Sequence, residues 1–85
     1  MRYILAIFGG RTQTMSFYQI LRSYGVACRV VNTPTQAIVA CGISVKFLEK
    51  DLSIVHSILS RRKYDSFVGL YRVFTSGATF VITPL

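Results

Sequence analysis

Acids are scarce in this chain. Glu49, Asp51 and Asp65 are the only carboxylate side chains among 85 residues, against ten lysines and arginines, and His56 is the single histidine. Hydrolysis by paired carboxylates needs two acids at one site, and a zinc centre needs three or four protein ligands. This set supplies neither, so no metal site and no cofactor is expected, and a stand-alone enzyme is the less favoured reading. Cysteine is limited to Cys28 and Cys41, too few to define a disulfide framework. No apolar run approaches the ~20 residues that span a bilayer. The short apolar start, Met1 to Phe8, has no small-residue cleavage site after it, so it makes a poor signal peptide. A reduced, cytoplasmic setting with no membrane partner is the expectation.

What is present is apolar and basic. Hydrophobic residues make up 52% of the chain and the net charge is +7. Such a charge favours polyanions or acidic partners, although a solvated surface short of acids is the simpler account. The only tight basic cluster, Arg61-Arg62-Lys63, falls at the end of an expected helix, where cations complement the helix dipole. One small domain over residues 1–85 is expected, with a core at 1–73 and an extension at 74–85. A domain of this size buries a limited share of its surface, which favours a homo-oligomer.

Hydrophobic spacing sets out the elements. Tyr3–Phe8 is continuously apolar, as a central strand would be. Gly9-Gly10 ends it. Thr12 is the expected N-cap of a helix whose inner face carries Phe17, Ile20, Leu21 and Tyr24, with Gly25 closing it. Val26–Asn32 alternates, placing Cys28 among inward apolar residues. Ile43–Leu48 alternates too. Asp51 is the expected cap of a second helix with Leu52, Val55, Ile58 and Leu59 inward. Phe67–Phe74 reads as a strand, Ser76-Gly77 as a break and Ala78–Thr83 as a fifth β segment. The order strand, helix, strand, strand, helix, strand favours a two-layer α+β sandwich of ferredoxin-like type, βαββαβ, with an extra C-terminal strand. Its open sheet face should carry aromatics, and the segment around Phe80-Val81-Ile82 suits a dimer edge.

The segment from Thr33 to Gly42 carries the chemistry. Thr33, Pro34 and Gln36 fit a capping box, so Pro34–Ala40 reads as a short helical turn closed by Cys41-Gly42. A thiol at a helix C-terminus meets the negative end of the dipole. The topology offers compensation. The first strand's end, Gly9-Gly10, should lie beside Cys41-Gly42, and Arg11 with the free N–H groups near Thr12 and Gln13 would make an anion-friendly corner. Such a corner suits a thiolate, or a persulfide or selenide, on Cys41. The other reading is a capped turn with a structural Cys41.

The series Tyr24-Gly25-Val26, Val30-Val31-Asn32-Thr33-Pro34, Cys41-Gly42 and Ile43-Ser44-Val45-Lys46-Phe47 resembles the small selenium/sulfur carrier-like proteins of bacteria. The resemblance covers about residues 1–73. It implies a small ferredoxin-like fold and Cys41 as the thiol that holds reduced selenium or sulfur, with donor and acceptor proteins as partners. Thr35 stands where members of that family often have arginine, and Ala37–Ala40 is apolar where they often have small polar residues. Arg11 or Lys46 is then left to supply the positive charge. The implied site is Cys41 with Thr33, Pro34, Gly42, Gly9, Gly10, Arg11, Thr12 and Lys46. Two other readings compete. One is a non-catalytic interaction module built on Tyr3, Tyr71 and Phe74. The other, ranked last, is RNA binding, for which Phe67-Val68-Gly69-Leu70-Tyr71 is a poor match to sheet-based base-stacking motifs.

Overall fold

The computed structural model describes residues 1–34 and 42–85. It shows two α-helices and a five-stranded antiparallel sheet: β1 (Arg2–Phe8), α1 (Arg11–Ser23), β2 (Cys28–Asn32), β3 (Ile43–Phe47), α2 (Leu52–Arg61), β4 (Phe67–Ser76) and β5 (Thr79–Pro84). The strands lie in the order β2-β3-β1-β4-β5.

β1 is the central strand, as its unbroken apolar run requires. Ile4 to Phe8 are all fully buried. Ile4, Ala6 and Phe8 face the helices and share one core with Phe17 and Leu21 of α1 and Val55 and Ile58 of α2. Leu5 and Ile7 face the other way, packed with Val73, Tyr3, Val31, Tyr71, Phe80 and Ile82. Truncating Phe8, which meets the rings of Phe17, Tyr64 and Phe67 at 5.2–5.3 Å between centroids, would cost about 3–5 kcal/mol.

The start of α1 differs from expectation. Gly10, in extended conformation, is the N-cap, and Thr12 lies inside the first turn. The chain is already helical at Arg11, so Thr12 no longer has the extended backbone that a cap needs. Thr14 donates its hydroxyl back to the Gly10 carbonyl at 2.8 Å. The helix ends as its glycine predicts. Gly25, with φ of +77°, donates to Arg22, and Val26 donates to Leu21, both at 3.0 Å. These two bonds make a Schellman motif, and Leu21 and Val26 at its two ends are both buried in the core on the helix side of the sheet. Tyr24, expected on the inner face, is the C-cap residue and half exposed.

Cys28 sits in the core as expected. Asp51 holds the N-cap position of α2, but its carboxylate makes no capping bond; a 3-10 turn, Glu49–Asp51, leads into the helix instead. β4 carries a bulge where Ile7 pairs with Gly69 but Phe8 with Phe67. The extra residue, Val68, shifts the alternation and turns Phe67 onto Phe8 and the helices. Phe74 was grouped with Tyr3 and Tyr71, yet it pairs with Arg2 on the helix side. It is 41% exposed there, with the Arg2 guanidinium 5.9 Å above its ring. No helix among the described residues is long and apolar enough to cross a membrane.

Candidate functional site

The candidate site lies at the sheet end where β1 finishes and β3 begins. The last β1–β3 pair is Ile7 with Ser44. Gly9 and Gly42 each stand two residues beyond it. The last β2–β3 pair is Asn32 with Ile43, and the Thr33 amide then donates to the Gly42 carbonyl at 2.8 Å. The Thr33 hydroxyl also bonds the hydroxyl of Ser44, a fully buried side chain. Thr33 thus closes both ends of the segment that holds Cys41. Proline at position 34 favours extended backbone at Thr33, which suits a strand-like exit. The expected turn over Pro34–Ala40 and Cys41 itself fall on residues 35–41, outside the described residues.

On the other side of β1 stands the start of α1. Gly9 donates its amide to the Ser66 carbonyl. The Gln13 side-chain oxygen accepts from both the Ser66 amide, at 2.9 Å, and the Ser66 hydroxyl, at 2.7 Å. The first turn of α1 is therefore fastened to the β4 side of this sheet end. Gly42 is on the β3 side, roughly two strand spacings or ~10 Å away. Arg11 and Thr12 are exposed in that turn. The first backbone N–H groups of a helix have no partner within it and attract anions. A Cβ on Gly10 would meet the Ser66 hydroxyl at 3.4 Å, and among the described residues one on Gly42 would meet nothing within 4 Å. Close backbone approach accounts for the glycine on the α1 side.

Lys46 is not part of this corner. It stands four residues along β3 from Gly42, about 13 Å at strand rise, and its ammonium lies 4.3 Å from the Tyr3 ring centre. That contact draws the charge further towards the opposite end of β1. Arg11 remains the nearest of the sequence-predicted cations on this sheet end. The side-chain contacts of Gln13, Ser44 and Ser66 were missed. Their roles come from partners 11 and 53 positions away, and single polar residues carry no local signal of such pairing.

Cys28 is a core thiol. Its side chain is buried with Sγ 3.9 Å from the Tyr18 carbonyl oxygen, and burial pushes its pKa up despite the nearby Arg22. His56 is exposed on α2, on the rim of an apolar cleft of about 550 Å³ that Leu52, Leu59, Phe67 and Leu70 also line. Among the described residues no group of three His, Cys, Asp or Glu is placed to hold a metal.

An antiparallel five-stranded sheet with both helices packed against one face defines a small α+β scaffold. Residues 3–68 match the family model described as Putative Se/S carrier protein-like, and the chain belongs to that family. No curated protein and no solved structure matches the chain significantly.

Proposed function

We propose that the protein is a thiol carrier for reduced sulfur or selenium, with Cys41 as the carrying residue and no resident cofactor. Membership of the carrier-like family carries this reading. The Thr33–Gly42 and Thr33–Ser44 bonds support it, because they anchor the segment on both sides to the sheet. The scaffold is proposed to be of ferredoxin-like type; the order β2-β3-β1-β4, with β5 added at the edge, supports this. Transfer needs no net redox change. The Cys41 thiolate attacks the outer sulfur of a donor persulfide, the donor thiolate leaves, and the outer sulfur remains on Cys41 as a persulfide. An acceptor thiolate then attacks the outer sulfur, the Cys41 thiolate leaves, and the sulfur remains on the acceptor as a persulfide. Arg11 and the N–H groups of the first α1 turn, at the same sheet end, would favour the anionic persulfide. The partners are a donor and an acceptor protein, met in the cytoplasm.

The test is the pH dependence of alkylation at both cysteines, followed by loading from a low-molecular-weight persulfide and mass spectrometry. Cys41 is expected to react with a midpoint below the ~8.5 of a free thiol and to gain one sulfur, with Cys28 unchanged. If Cys41 stays protected until the protein unfolds, the carrier reading fails.

A further inference from the structure

β5 is an edge strand of an unusual kind for this chain. Residues 73–85 contain no charged side chain, although the rest of the chain carries all ten lysines and arginines and all three acids. Edge strands of soluble proteins are commonly blunted by charge, lysine above all. The lone proline, Pro84, removes a single N–H at the far end of the strand. β5 presents apolar side chains on both faces: Phe80 and Ile82 extend the cluster on the helix-free face, while Val81, between Thr79 and Thr83 and opposite Phe74, is 46% exposed on the helix side.

The direction of its backbone groups follows from the register. The β4–β5 hairpin turns through two residues, Gly77 and Ala78, between the paired Ser76 and Thr79, and a two-residue turn is flanked by a pair that exchanges hydrogen bonds. Bonding pairs alternate from there, so Thr79, Val81 and Thr83 turn their N–H and C=O groups towards β4. Two further bonds agree with that phase. Leu85 donates to Leu70 at 2.9 Å, and Thr75 turns its amide away from β5, to Met1, at 2.8 Å. The outward groups are therefore the N–H and C=O of Phe80 and Ile82. One apart on either side of Val81, they form a self-complementary set. Two antiparallel copies of β5 match when Phe80 faces Ile82 of the second copy and Val81 faces its own counterpart across a two-fold axis.

We propose that β5 is a homodimerisation edge in this register, joining two five-stranded sheets into one of ten. A second copy fits better than an unrelated strand for two reasons. The register closes on itself, as isologous contacts must, and two molecules of charge +7 approach with less repulsion along this uncharged edge strand than along the other edge, β2, which carries Arg29. The dimer covers Val81 and draws Phe74 of both copies to one side and Phe80 and Ile82 to the other.

Sedimentation of the full chain should show a mass rising from the 9.5 kDa of the monomer towards twice that value with concentration. Val81→Lys, at an exposed position, should weaken the dimer at least tenfold while leaving the far-UV circular dichroism unchanged. Val81→Cys tests the register itself. Directly opposed residues of a non-hydrogen-bonded pair lie about 4.5 Å apart, within disulfide range, so an 81–81 linked peptide should form on mild oxidation. Thr83→Cys, two residues from the axis, should not link. A wild-type chain that stays monomeric overturns the proposal, as does a dimer unaffected by Val81→Lys. Cross-linking at 83 as fast as at 81 overturns the register.

Discussion

Two connections join neighbouring antiparallel strands in this sheet, and they differ sharply in length. β4 and β5 are linked by Gly77 and Ala78 alone. Gly77, with φ of +58°, sits at the first loop position, where a tight hairpin turn favours positive φ. β2 and β3 are linked by Thr33 to Gly42, although they form an equally regular five-pair ladder. Loop-closure entropy makes a ten-residue link costlier than a two-residue one by about 1–1.5 kcal/mol. Joining strands does not require the longer link, and functional residues are disproportionately carried on connections held by a rigid scaffold. The extra length holds Cys41, and Thr33 ties that length down at its base. The short hairpin does the opposite: it extends the sheet with an uncharged edge.

The comparison can be broken most directly by excision. Replacing residues 34–41 with Asn-Gly should abolish sulfur loading completely while circular dichroism keeps its native shape and the urea midpoint does not fall. Loss of the fold would show that the segment is structural, and the contrast between the two links would collapse. The next effect belongs to the anchor. Thr33→Val leaves the buried Ser44 hydroxyl without its partner and should cost about 1–3 kcal/mol in urea unfolding; the double variant with Ser44→Ala should recover much of it. A third test sharpens the hairpin side. Gly77→Ala forces a Cβ into a left-handed conformation and should cost about 1–2 kcal/mol, without touching Cys41 loading. The smallest effect lies outside both links. Two hydrogen bonds from Arg72, at 3.1 and 2.7 Å, hold the Glu49 carboxyl below the usual carboxylate range. Because the folded value is the lower one, this pair stabilises the fold above the ordinary glutamate range, and that stabilisation is lost as pH falls through the folded value. The pair is partly exposed, so the effect is small; Glu49→Gln should flatten that part of the stability profile between neutral and acid pH.

Much of the scaffold was legible because its signals are local. The apolar run of β1, the alternation of β2 and β3, Gly25 behind α1 and Gly77 in the hairpin each act within a few residues of themselves. Thr12 misled because threonine at a helix start is a frequent cap, but the extended residue before the helix turned out to be Gly10. Phe74 misled because strand parity was not known beyond the aromatic count. Once Tyr71 and Val73 face the helix-free side, Phe74 must face the other. Lys46, named from the sequence as a possible anion partner, has its ammonium over the ring of Tyr3, two residues along β1 from its paired residue Leu5.

By itself the sequence determined the two helices, the strands, most of the core stripe of the helices, the burial of Cys28 and the segment in which Cys41 stands. These follow from side-chain periodicity and from backbone preferences, which are properties of neighbouring residues. Tertiary structure alone decided which groups meet: the Thr33–Ser44 and Gln13–Ser66 contacts, the bulge that aims Phe67, the distance between Arg11 and Gly42, and the outward Phe80 and Ile82 backbone of the edge. Each depends on the register between strands brought together from distant parts of the chain, and a register is fixed only when the whole sheet has paired.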